Sequence, residues 1–409
     1  MKLLKVDSVD QARSKLLTCV HSWGTACETK HLTKALGDTL ANDIFAVEDL
    51  PAFRRSTVDG YAVVSKDTGA AGESIPVFLT VKERVMMGAV ASATIHSGEC
   101  AEVPTGGMIP DGADAVVMVE YAEPFGANSV ALYHGVANGE NVVQIGEEVR
   151  KGTPLLRRGK RILPQDIGAL AAAGITEVSV FTPLKMTILS TGDELVAPDQ
   201  MPHPGQIRDV NTYALCALAE KSGFNVLHTA VIPDNEGALA QAVSAAMKTS
   251  DIVAVSGGSS QGEKDATHAV FDRVASPGVF THGMAIKPGK PTILGCDASS
   301  QTLLVGLPGH PVSAMMVFEI LLAWLWREMT RGVAPPVIPA RVSCNVASSP
   351  GKLTCWPAKL EWVANEFTAV PVFGKSGLIT TLTQADGYFV VDQDREGLAT
   401  GEMVLVHLF

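Results

Sequence analysis

The chain has 409 residues, 46% of them hydrophobic, enough for several cores at the usual ~100–200 residues per domain. Only 18% are charged and the formal net charge is -11. That balance excludes the clustered Lys and Arg of a general nucleic-acid surface and favours small-molecule chemistry, with phosphate met by backbone amides, a few lysines and a divalent cation.

Cys19, Cys27, Cys100, Cys216, Cys296, Cys344 and Cys355 are scattered without a CxxC pair, so neither a zinc site nor a disulfide framework is expected. They read as thiols of a reducing cytosol. The opening MKLLKVDSVDQAR is broken by charges and does not have the form of a secretory signal. The apolar run Val312–Trp326 is too short to span a bilayer and contains Glu319, which predicts a buried or interface helix.

In chain order, residues 8–45 carry helix-like spacing (Ala12, Leu16, Leu17, then Leu32, Leu36, Leu40) and end before Pro51, so the first segment is expected to be mostly helical. Val-rich runs separated by Gly and Pro follow from about 52 to 136: YAVVS, IPVFLTV, AVVMVE and SVALY predict a small strand-rich domain. A helix returns at Pro164 through IGALAAAGI, as though the first domain resumed after an insertion. From 185 the pattern alternates KMTILS strand, NTYALCALAEKSG helix, FNVLHTAVI strand, EGALAQAVSAAMK helix, DIVAVS strand, a helix after Asp265, TLLVGL strand and a long helix from about 311. Strands alternating with helices specify a parallel, doubly wound sheet whose ligand sits beyond the strand carboxyl ends. Past the proline-rich GVAPPVIPAR the chain reads as a small C-terminal β domain. The expected divisions are 1–50 with 137–180, 51–136, 181–330 and 336–409.

Three strand-end loops are polar and glycine-rich: Thr191-Gly192-Asp193-Glu194, Gly257 through Asp265, and Pro308-Gly309-His310-Pro311. The Ser256-Gly257-Gly258 turn suits an oxyanion at a helix amino end, or is a plain β-α turn. Asp193, Glu194, Asp234 and Asp265 all fall at strand ends, where gathered carboxylates repel unless a cation such as Mg²⁺ joins them to a phosphate. Taken singly, Asp193 and Asp234 are also ordinary helix caps. Lys287-Pro288-Gly289-Lys290-Pro291 holds two ammonium groups beside a rigid turn, as an oxyanion cradle or as a solvated hairpin. Asp59-Gly60, Thr105-Gly106-Gly107 and Gly146-Glu147-Glu148 are weak signals alone, and need the α/β cleft nearby, which a dimer could supply.

Together, DGYAV, TGGMIPDGADAVVMVE, STGDEL, SGGSSQGEKD, KPGKP and GLPGHPVSA, in this order, resemble the MoeA and gephyrin E-domain family from about residue 8 to the C-terminus. The resemblance implies a multidomain fold: a molybdopterin-binding α/β domain, an inserted β-rich domain, a helical domain built from two segments and a C-terminal β barrel. It implies a cytoplasmic homodimeric transferase with the DGYA domain of one subunit at the cleft of the other. The implied reaction inserts molybdate into adenylylated molybdopterin with Mg²⁺-dependent cleavage of the adenylate, giving molybdenum cofactor and AMP. By motif, Asp59, Glu148, Glu194, Asp234 and Asp265 would serve catalysis, with Asp234 and Asp265 on the metal. Thr105, Ser256, Gly257, Gly258, Lys287, Lys290, Pro308 and Pro311 would bind substrate. Implied partners are the molybdopterin adenylyltransferase that donates substrate and maturation factors of molybdoenzymes, without nucleic acid or membrane. The alternatives are a non-catalytic scaffold, another nucleotide-processing enzyme sharing the α/β domain, and a tungstate-selective paralogue. Three places depart from the family pattern: Arg54-Arg55 stand before DGYA, Glu148 replaces an aspartate, and His310 stands for an asparagine. The arginines are expected to have moved between two loops that face one anion.

Overall fold

The computed structural model describes residues 6–21, 23–257 and 263–409, apart from the side chains of residues 263–265. The first helix, Val9–Val20, is started by a reciprocal cap. The Ser8 side chain accepts from Gln11 N, and the Gln11 side chain accepts from Ser8 N. Helix does not continue to residue 45 as the leucine spacing predicts. After one 3-10 turn at Leu32–Lys34, Leu36 is 60% exposed and Leu40 bridges Val180 instead. Strand partners from the returning segment outbid local helix propensity there.

Those partners form a ladder. Cys27–His31 pairs antiparallel with Glu177–Phe181, Ile44–Phe45 with Pro154–Leu156, and Arg55–Ser56 with Val142–Val143. Between the innermost pair lies a six-stranded sheet in the order 115–118, 60–63, 99–103, 77–84, 129–132, 122–125. Its strands alternate faces: Tyr61, Val63 and Val117 enter one core, Ala62, Ala101 and Val116 another.

The α/β sheet runs 225–232, 185–191, 252–257, 302–307, 293–297, 277–282. The first four strands are parallel; 293–297 runs antiparallel to both its neighbours, forming a hairpin with 302–307, so that 277–282 points the same way as the four. The sheet is therefore doubly wound on one side and finished by a hairpin on the other, where Asp297 turns the chain within a few residues. One face is covered by the helix Asn211–Ser222, the 311–330 helix and the N-terminal helix. Glu236–Ala246 and Glu263–Val274 cover the other. The 311–330 helix widens to a π turn over Phe318–Ala323, and the Arg13 guanidinium donates to Ile320 O at 2.9 and 3.2 Å. No described helix is long and apolar enough to cross a membrane.

The C-terminal strands 353–363, 366–371, 337–342, 403–408 and 387–391 close on themselves, since the first also pairs with the last. A sixth strand is borrowed: Ile286–Lys287 pairs parallel with Leu353–Thr354. The KPGKP turn is thus no free hairpin. It leaves the barrel at Lys287 and re-enters the α/β sheet at Ile293.

Candidate active site

Two cavities meet at the carboxyl ends of the parallel strands. One, of about 600 Å³, is lined by Ser190, Thr191, Glu194, Arg208, Asn211, Ser256 and neighbouring backbone. The other, of about 560 Å³, lies between the strand ends, the KPGKP turn and the barrel. Gly257, Gly309 and His310 line both.

The wall between them is built from close backbone contacts. Gly257 has φ 146°, and a Cβ there would stand 2.3 Å from Thr191 O. A Cβ on Gly309 would lie 3.5 Å from Gly257 C, so the two strand-end loops touch through their main chains. The Asn211 amide ties them further, with Nδ2 donating to Ser256 Oγ and Gly309 O, each at 2.8 Å. Because Gly309 O can only accept, the amide orientation is fixed. Asn211 Oδ1 is buried with no hydrogen-bond partner among the described residues.

The second cavity is cationic. Lys287, Lys290, Lys352 and Lys375 line it, Asp and Glu are absent from its described lining, and none of the four lysines has a carboxylate partner among the described residues. In a chain of net charge -11 this local sign is the reverse of the whole. Ser349, Ser376 and Trp356 complete a polar and aromatic wall. Its fourth side is the barrel loop 374–377, fastened by Val312 N donating to Ser376 O at 3.1 Å and by His310 Nδ1 at 2.8 Å from Ser376 Oγ. Such a pocket can hold a compact dianion without metal.

The sequence-predicted residues divide into groups. Glu194, Ser256, Gly257 and Pro311 line the first cavity; Gly257, Lys287, Lys290 and Pro308 line the second. Asp234 stands at the strand end but lines neither cavity. It and Asp193 exchange bonds, Asp193 N donating to Asp234 Oδ2 at 3.4 Å and Asp234 N to Asp193 Oδ1 at 3.1 Å. Backbone N–H groups thereby offset the carboxylate repulsion that a cation was expected to relieve. The helix cap belongs to Asn235, whose Oδ1 accepts from Ala238 N at 2.9 Å. Gly258 and the Asp265 side chain lie outside the described residues.

Asp59, Thr105 and Glu148 sit apart, in neither cavity. Asp59 Oδ1 accepts from Thr105 N at 2.7 Å and from its hydroxyl at 3.1 Å, joining the two motifs on one exposed edge. Arg54 is not aimed outward: it donates to Ala113 O at 2.8 Å and Pro110 O at 3.2 Å, binding its own sheet. Arg55 is exposed.

Sequence reasoning missed Asn211, Arg208, Lys352, Lys375 and Ser376. Asn211 opens a helix after a strand-end loop, which is a readable position. Lys352 and the Gly374-Lys375-Ser376-Gly377 turn come from the barrel, and only the three-dimensional pairing with Lys287 brings them to the site.

Three family models match in order: the MoeA N-terminal region (domain I and II) over 7–174, a probable molybdopterin binding domain over 187–327, and the MoeA C-terminal region (domain IV) over 339–409. A molybdopterin molybdenumtransferase of Haemophilus influenzae is 32% identical, the match covering 98% of each chain. That of Bacillus subtilis is 30% identical over 92% of this chain and 88% of its own. Among solved structures, a molybdopterin biosynthesis MoeA protein from Pyrococcus horikoshii OT3 superposes with TM-score 0.84 at 30% identity, covering 99% of this chain and all of that one (100%).

Proposed function

Because this chain belongs to the MoeA family, whose curated relatives are molybdopterin molybdenumtransferases of molybdenum cofactor biosynthesis, we propose that it inserts molybdate into adenylylated molybdopterin and releases AMP. The observation that carries this reading is the cavity of four lysines, with no carboxylate in its described lining, sharing a wall with the strand-end cleft. A dianionic metal oxyanion fits the lysine cavity by charge and size, and the strand-end cleft is left for the other ligand. The pterin and its phosphates fit that cleft, where glycine backbone and a helix amino end face the ligand. With both occupied, the sulfurs of the pterin's dithiolene would lie against the oxyanion, so that they displace its oxygens while the phosphoanhydride is hydrolysed to AMP. The chain's part is to hold two anions side by side and to shield them from water.

Mg²⁺ is the cation expected for the phosphoanhydride, at Asp265 and Asp234. Among the described residues no three metal-ligating side chains come together, and the Asp234 carboxylate is engaged with Asp193 N. The exposed Asp59–Thr105 edge, with Glu148, would complete the cleft of a second copy in a cytoplasmic homodimer supplied by the adenylyltransferase. Lining both cavities from one copy leaves that edge without a role, which supports the dimeric reading.

The test is AMP release from adenylylated molybdopterin with and without molybdate. A Lys287→Ala, Lys290→Ala double variant should raise the molybdate concentration needed for half-maximal release by roughly a hundredfold or more, the loss of charge-assisted bonds costing about 1.5–3 kcal/mol each. An unchanged molybdate requirement contradicts the lysine assignment, and no AMP from the unaltered protein under any condition defeats the reading.

A further inference from the structure

Among the described residues, His310 is the side chain of the strand-end loops that the barrel grips. Its Nδ1 is 2.8 Å from Ser376 Oγ, and a Cβ on Gly377 would stand 3.8–3.9 Å from its Cδ2 and Nε2. Only one proton can lie between Nδ1 and Oγ. If the ring nitrogen is bare, the serine hydroxyl donates to it and turns oxygen lone pairs toward other neighbours, which repel an anion. If Nδ1 carries a proton, Oγ accepts it and the hydroxyl hydrogen is left to donate elsewhere.

The surroundings decide which arrangement an anion selects. Lining the same cavity as the ring are Lys375 from the barrel loop, Lys287 and Lys290 from the KPGKP turn, Lys352 just before the barrel strand 353–363 and Cys355 within it. Glu194, Arg208 and Asp209 lie on the side of the other cavity. On the lysine side the described lining offers no carboxylate to an imidazolium, so a bound dianion is the countercharge available there. Anion binding and ring protonation therefore reinforce each other.

Resting on the reading of this cavity as the oxyanion site, we propose that His310 is a positioning residue that takes up a proton when the oxyanion binds, and through Nδ1–H turns the Ser376 hydroxyl to donate to it. The proton comes from solvent and enters the Nδ1 lone pair; no heavy-atom bond forms or breaks. Anion binding is then accompanied by proton uptake, and the two strengthen each other.

Titration calorimetry of the full-length protein with sodium molybdate, in two buffers of different ionisation enthalpy at one pH near 7, counts the protons exchanged. The unaltered protein should take up a measurable fraction of a proton per molybdate. His310→Asn, whose amide can hold Ser376 without titrating, should bind with no uptake. Ser376→Ala should bind severalfold more weakly, with uptake reduced. Equal uptake by His310→Asn and the unaltered protein overturns the proposal, as does molybdate binding without uptake in the unaltered protein. Full uptake in Ser376→Ala overturns the serine half. Absence of molybdate binding by folded, unaltered protein, checked by circular dichroism, instead removes the oxyanion reading on which the proposal stands.

Discussion

Gly60, in the DGYAV motif, begins a strand and is not there for a turn. A Cβ on it would fall 2.0 Å from Val117 O, so the residue is small because a neighbouring strand passes there. Gly60→Ala should lower the urea midpoint of the sheet's unfolding, at a cost of ~2–4 kcal/mol, because backbone cannot yield as a side-chain tip can. An unmoved midpoint contradicts the packing argument. Cys355 makes a second residue-scale case. It lines the lysine cavity but is 3% exposed, and burial pushes its thiol up to about 12. The reactive thiolate is therefore negligible at neutral pH. Brief iodoacetamide treatment at pH 7.5 followed by peptide mapping should mark exposed Cys27 and leave Cys355 unmodified; prompt labelling of Cys355 would show that the cavity is more open than its packing indicates. Residue types at strand ends were readable as ligand-facing, whereas Gly60's purpose and the Asp193–Asp234 exchange depend on atoms brought in from elsewhere in the chain.

At the scale of elements, helices with a sustained apolar stripe, such as Asn211–Ser222 and Glu236–Ala246, agree with the sequence pattern. Elements defined by a distant partner were not readable. The π turn at Phe318–Ala323 has no signature of its own, and one carbonyl within it is met by Arg13, 307 residues away in the chain. The closing hairpin of the α/β sheet escaped for a related reason: its strands read as apolar runs, which do not state direction. Its turn is set by Asp297. Burial alone would raise that carboxyl, but the Ser299 hydroxyl, Ser276 N, and Ser300 N and hydroxyl outweigh burial and hold it well below the usual carboxylate range. A depressed folded-state pKa stabilises above the unfolded value and the benefit is lost as pH falls. Asp297→Ala should destabilise by about 1–3 kcal/mol at pH 7, for the donors left buried. The gap between variant and parent should narrow from about pH 4 downward; a gap independent of pH would mean that the charge contributes nothing.

For the whole molecule, the separation of the Asp59–Thr105 edge from both cavities makes a prediction about subunits. Asp59→Asn and Lys287→Ala, Lys290→Ala, assayed at a molybdate concentration too low to support the lysine variant, should regain activity when unfolded and refolded together. Random pairing gives half mixed dimers with one intact site each, hence about a quarter of the parental activity. No recovery would place all the machinery within one subunit. The order of strand-rich, alternating and C-terminal β segments was visible in the texture of the sequence, the barrel came only from the resemblance, and the borrowing of Ile286–Lys287 was not visible, since nothing local marks a strand that leaves its sheet. The nested ladder bears on how the chain acquires its structure in time. The pairs 55–56 with 142–143, 44–45 with 154–156, and 27–31 with 177–181 enclose one another like the rungs of a stem, with the inserted sheet as its loop. Each rung closes cheaply only after the one inside it, because the intervening residues are then already gathered and little further chain entropy is lost. During synthesis, residues 27–56 must therefore wait, unpaired and exposed, until the ribosome has delivered the segment beyond 142, a delay that favours rapid closure of the inserted sheet as the seed of everything around it.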